Sequence, residues 1–210
     1  MTAGPWSMHV RTATAPASRA SVEGRRVPVL LAGLAGAVAV RVGVAGQAGV
    51  RSVPAGLVFA ALLLAVAVTA TPRIWRTPGP ALRQVAVGLA GAAALCAVPL
   101  SVHLRTPVGP LPLGEFPVWA VVVTVVAVAE EVLLRGVLWA AAERRHGTTS
   151  ALLLTTVSFG LLHVPLYGLA ALPLDLAVGL LLGGLRMASG GWAAPALAHT
   201  VADLAGWWLR

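Results

Sequence analysis

The strongest constraint on this chain is its succession of long apolar runs, each close to the length of a membrane-spanning helix. A span needs about 20 mostly apolar residues. Seven runs qualify, at about 27–49, 53–71, 84–103, 116–141, 149–164, 170–186 and 191–209. Arg41 divides the first, and a long arginine can snorkel toward an interface. The fifth is short and ends at Pro165. The pattern predicts an all-α, polytopic transmembrane helical bundle of about seven spans, with a core of four C-terminal helices.

Composition agrees. Hydrophobic residues make up 58% of the 210 and charged residues only 10%, whereas a soluble domain carries about 25% charged residues. Disorder is excluded more firmly, because it requires low hydrophobicity. The single cysteine, Cys96, rules out an intramolecular disulfide and sits in an apolar run where a thiol is inert.

The 15 basic residues are all arginine, against seven acids, for a net charge of +8. With the N-terminus placed in the cytoplasm, Arg11, Arg19, Arg25, Arg26, Arg73, Arg76, Arg83, Arg144, Arg145 and Arg186 fall on the cytoplasmic side. Arg51, Arg105 and Arg210 fall opposite. That is a positive-inside bias, so the charge reports topology and gives no support for a nucleic-acid partner. The expected location is the plasma membrane, N-terminus inside. Residues 1–26 lack apolar periodicity and read as a flexible cytoplasmic tail. Residues 27–115 read as N-terminal transmembrane helices and 116–210 as the functional core. Trp119, Trp139, Trp192, Trp207 and Trp208 lie near predicted helix ends, as interfacial anchors do. Gly179 and Gly183, four apart, permit close helix packing.

Charges inside apolar runs are the informative exceptions, because each costs roughly 2.5–3.5 kcal/mol at the bilayer centre. The fourth run holds Glu130, Glu131 and Arg135. Glu131 and Arg135, four apart, share a helix face and can pair. Glu130 is rotated by about 100° and stays available. An unpaired carboxylate kept from water suits general acid–base work. The fifth run holds Phe159 and His163, and the seventh His199 and Asp203, again four apart. Counted from the cytoplasmic ends, Glu130, His163 and His199 fall about 12–20 Å deep, in one broad layer. Asp175 follows Pro173 in the first turns of the sixth run, where the helix dipole favours an acid.

Glu130-Glu131-x-x-x-Arg135, Phe159-x-x-x-His163 and His199-x-x-x-Asp203, in that order on three apolar helices, resemble the motifs of the CAAX-processing and bacteriocin-processing (CPBP, or Abi) intramembrane proteases. That family includes type II CAAX prenyl endopeptidase-like and lysostaphin-resistance-protein-A-like members. The resemblance covers about 116–209. It implies that Glu130 activates the attacking water, His163 assists, and His199 with Asp203 stabilises the oxyanion. Glu131, Arg135 and Phe159 then give structural support. Where the last motif residue is Asn, its amide can donate to an oxyanion, whereas Asp203 donates only when protonated. The resemblance leaves the metal open: a divalent ion such as zinc and a metal-independent glutamate mechanism are both proposed for the family, and the His-Glu-x-x-His zinc signature is absent.

The implied substrate is a membrane-associated protein or peptide. Two other classes fit the residues. A transporter or proton relay also places Glu, His and Asp inside membranes, and an immunity or scaffold protein could keep the fold without catalysis. Taken singly, His163 reads as interfacial and His199 with Asp203 as an interhelical hydrogen-bonded pair.

Overall fold

A computed structural model of the chain describes residues 17–71, 79–109 and 113–209. Tail and loop readings that fall on 1–16, 72–78, 110–112 and 210 lie outside the described residues. All regular structure among the described residues is helical.

The first helix, α1, runs from Ala17 to Ala45. It starts inside the segment expected to be a tail, because Ala, Arg and Glu favour helix. Helix α2 spans Val53–Ala70; Ser52 caps it by accepting from the Ala55 amide at 3.4 Å, and Pro54 fills its first turn. Helix α3 runs from Ala81 to Arg105. Helix α4, Phe116–Glu131, passes into a π-helical turn at Val132–Leu138 and on into α5, Trp139–Tyr167. Helices α6, Leu172–Ser189, and α7, Ala193–Ala205, complete the chain.

Among the described residues, five segments are long and apolar enough to cross a membrane: Arg25–Ala45, Val53–Ala70, Ala81–Arg105, Leu113–Tyr167 and Leu169–Ser189. This is the make-up of an integral membrane protein. The 55-residue Leu113–Tyr167 is two arms and absorbs the fourth and fifth predicted runs. Gly147 takes φ +80°, ψ 171° in the middle of α5, a conformation that only glycine adopts cheaply. Leu152 and Trp139 both lie against Gly183. On one straight helix, residues 13 apart would be separated by about 20 Å. The chain therefore doubles back at Gly147, between the fourth and fifth predicted runs.

The seventh run is shorter than its hydropathy suggested. Helix α7 has 13 residues, about 20 Å at 1.5 Å per residue, and ends at Gly206. Helix α3 braces it from the side. A side chain at Gly88 or Gly91 would collide with Leu197, Ala198 or Leu185, so α3 approaches closely. The buried Gln84 of α3 accepts from the Ala194 amide at 3.0 Å and donates to the Ser189 carbonyl at 3.1 Å. One amide thus satisfies backbone groups at the end of α6 and the start of α7.

Packing at Gly179 and Gly183 is as the sequence suggested. Gly179 lies against the Thr156 backbone and Gly183 against Leu152. Two tryptophans differ from expectation. Trp139 is 1% exposed and Trp207 2%, so neither is an interfacial anchor. Trp207 packs into a cluster with Phe116 and Trp119, and Trp139 lies beneath the Arg186 guanidinium. Their large apolar surfaces are better spent between helices than at the rim.

Candidate active site

The three polar motifs converge although they come from separate helices. Glu131, the last residue of α4, accepts from Arg135 Nη1 at 2.8 Å through its Oε1. The same oxygen accepts from His199 Nδ1 on α7 at 3.1 Å. Arg135 lies in the π turn and donates through Nη2 to the Gly179 carbonyl of α6 at 3.0 Å. All three side chains are buried. A buried charge is tolerable only when paired and hydrogen-bonded, and here one carboxylate oxygen ties a cation and an imidazole together. The second oxygen, Oε2, is buried with no hydrogen-bond partner, as is Arg135 Nε.

The π turn begins immediately after Glu131. Single π turns inside α-helices occur often at functional sites, and nothing in the residue types announced this one.

Phe159 is the hub of the packing. The Arg135 guanidinium lies 4.8 Å above its ring. The His199 ring meets it edge-on at 5.5 Å and the His163 ring sits 4.6 Å away. His163 Nδ1 lies 2.9 Å from the Phe159 carbonyl. A carbonyl can only accept, so Nδ1 carries the proton and, in the neutral ring, Nε2 keeps its lone pair. Tyr167 stacks on the other side of His163 at 5.7 Å.

His199 has a carboxylate at each nitrogen. With Nδ1 held by Glu131, its Nε2 faces Asp203 Oδ2 at 3.7 Å. That is beyond hydrogen-bond distance. The Asp203 side chain is 38% exposed and so opens this edge of the cluster. Glu130, His163 and His199 all lie within electrostatic reach of Asp203. Glu130 is 2% exposed, and its Oε1 lies 3.9 Å from Arg41 Nη1 of α1.

Arg41 departs from the sequence reading. It does not snorkel to an interface; it is buried, with its guanidinium 4.7 Å above the Phe59 ring. The Glu130 carboxylate and the Phe59 π face together hold the cation inside the bundle. Asp175 lies in the first turn of α6, as expected, but also within electrostatic reach of His163, and its Oδ2 is buried without a partner. Arg41, Asp175, Tyr167 and the bracing Gln84 are the neighbours that motif reading missed. The signal for Arg41 was present as a lone charge in an apolar run.

Among the described residues no three His, Cys, Asp or Glu side chains group as a metal site. Glu131 Oε1 and His199 Nδ1 are engaged with each other, and His163 Nδ1 with a carbonyl.

No curated protein and no solved structure matches the chain. Residues 112–205, which carry all three motifs and the cluster they build, match the family model of the Rce1-like type II CAAX prenyl endopeptidases, the protease family that the ordered motifs resemble.

Proposed function

We propose that the chain is an intramembrane endopeptidase that hydrolyses a peptide bond of a membrane-associated protein or peptide, with water activated by Glu130. The observation that carries this reading is the meeting of the three motifs around Phe159, with His199 joined to Glu131 across 68 residues of chain. Glu130 takes a proton from water, and the resulting hydroxide attacks the scissile carbonyl. His163, with its Nε2 lone pair, orients that water. The tetrahedral oxyanion sits beside His199 Nε2, which donates when the imidazole is doubly protonated between Glu131 and Asp203. Asp203, in place of an amide, keeps that imidazolium in position. Glu130 then returns its proton to the departing amine, and the C–N bond breaks. Glu131, Arg135 and Phe159 hold the geometry.

A family of prenyl endopeptidases supports a substrate that carries a lipid near the scissile bond. The arginine distribution supports a plasma-membrane protein with its N-terminus in the cytoplasm. The domain division follows the same reading, with supporting helices that begin at Ala17 ahead of a protease core at 116–210.

The test uses the full chain in liposomes, incubated with prenylated and unprenylated peptides ending in a CAAX sequence. New termini are read by mass spectrometry. Cleavage by the wild type and none by Glu130→Gln is the expected outcome. Equal cleavage by Glu130→Gln overturns the mechanism, and solute or proton flux without cleavage by the wild type favours the transport reading.

A further inference from the structure

A cavity of about 770 Å³ touches the motif cluster only at Arg135, and its size is within the roughly 300–1,000 Å³ usual for ligand sites. None of Glu130, His163, His199 and Asp203 lines it. It forms where the start of α1, the end of α2, the π turn and the end of α6 meet. Its wall includes five arginines, Arg25, Arg26, Arg135, Arg144 and Arg186, and no acid among the described residues. The Arg135 guanidinium turns inward to Glu131 and Gly179. Arg25 and Arg26 are exposed, whereas Arg186 has Glu143 within electrostatic reach. Arg186 is anchored there, because its Nε donates to the Arg135 carbonyl at 3.0 Å.

Charge and apolar surface are separated along the cavity. Arg25 and Arg26 lie toward the α1 N-terminus, near Thr69 and Thr71 at the end of α2. Gly33 and Val66, one to two turns further into the helices, form an apolar wall with Val29 and Ala140. Gly33 keeps this wall open, since a Cβ there would meet Val66 at 3.0 Å. Positive-inside topology requires arginines on one side of a membrane. It does not require four of them, from three helices, to face one hollow.

We propose that this cavity binds the phosphate-bearing headgroup of an anionic glycerophospholipid, with an acyl chain running along the α1–α2 wall. Basic pockets between transmembrane helices at the membrane surface take such headgroups. Arginine's planar fork matches phosphate oxygens, and Arg25 and Arg26, both exposed beside the apolar wall, can turn theirs to an anion. The inference is independent of the peptidase reading, because the cavity and the motif cluster share only Arg135.

Native mass spectrometry of the full chain in detergent, titrated with phosphatidylglycerol, phosphatidylcholine or inorganic phosphate, tests it. Phosphatidylglycerol should be retained at least about tenfold more strongly than phosphatidylcholine, and less so as salt rises. R25Q/R26Q, at two exposed positions, should lower that retention on the order of tenfold or more. Ala140→Phe fills the apolar wall, leaves every charge in place and should produce a similar loss. If it does not fold, the arginine pair carries the test alone. Equal retention of the two lipids overturns the proposal, as does wild-type retention by the arginine variant. Displacement of phosphatidylglycerol by millimolar inorganic phosphate also overturns it and assigns the cavity to a soluble anion.

Discussion

The helices α1–α3 and the region 113–209 divide the work differently. The C-terminal region concentrates its ionisable groups, so Glu131, Arg135 and His199 form one hydrogen-bonded unit. The N-terminal helices contribute single polar side chains that act beside that unit. Arg41 reaches Glu130, and Gln84 fixes the turn that carries α7. The lesson is that chemistry clusters into motifs while its support does not. A residue that acts alone leaves no spacing to recognise, even where it is as deeply buried as the groups it supports.

This contrast can be broken from either side. The largest effect belongs to Glu130→Gln, which should cut the rate of peptide cleavage per folded molecule by about 10²–10⁴, with a lower melting point because the buried Arg41 loses its carboxylate, read by paired activity and melting assays. Arg135→Met should do the reverse in part. It leaves Glu131 buried beside His199 with its cation gone, at a cost of about 3–5 kcal/mol, visible as a lower unfolding midpoint and reduced yield. Arg41→Gln tests the N-terminal contribution to chemistry. It should lower kcat more than it raises KM, and Arg41→Lys should restore part of the loss. A variant that melts early with unchanged kcat would make Arg41 purely structural. The smallest effect is expected from Gln84→Leu, which strands the Ala194 amide and the Ser189 carbonyl at about 1–3 kcal/mol. Activity per folded molecule should survive that substitution, and a disproportionate loss would place Gln84 closer to the chemistry than its contacts indicate.

Much of the fold was legible because hydrocarbon imposes a simple rule on length and polarity. Apart from the start of α1, ten residues ahead of its predicted run, apolar runs located the helices to within a few residues, and the i,i+4 spacing of Glu131 and Arg135 correctly predicted their pairing. Other features were hidden for physical reasons. The reversal at Gly147 depends on one positive φ, and glycines are too frequent in this chain for any one to stand out. The π turn follows ordinary Val-Leu-Leu residues. Trp139 and Trp207 sit at helix ends in sequence but between helices in space, because burial depends on neighbours that spacing does not reveal. Spacing predicted a His199–Asp203 pair, whereas the stronger tie of His199 is to Glu131, on another helix.

The tight reversal at Gly147 has a consequence for biosynthesis. Its two arms carry Glu131, Arg135 and Phe159, so these meet through a local hairpin that can form as soon as the second arm leaves the ribosome. His199 lies beyond another helix and emerges later. Until it does, Arg135 already shields Glu131, while the imidazole that faces Asp203 is missing. The proposed hydrolytic centre is therefore incomplete throughout insertion and becomes whole only when α7 docks against α3. A nascent chain that stalls before that helix would be embedded in the membrane but unarmed.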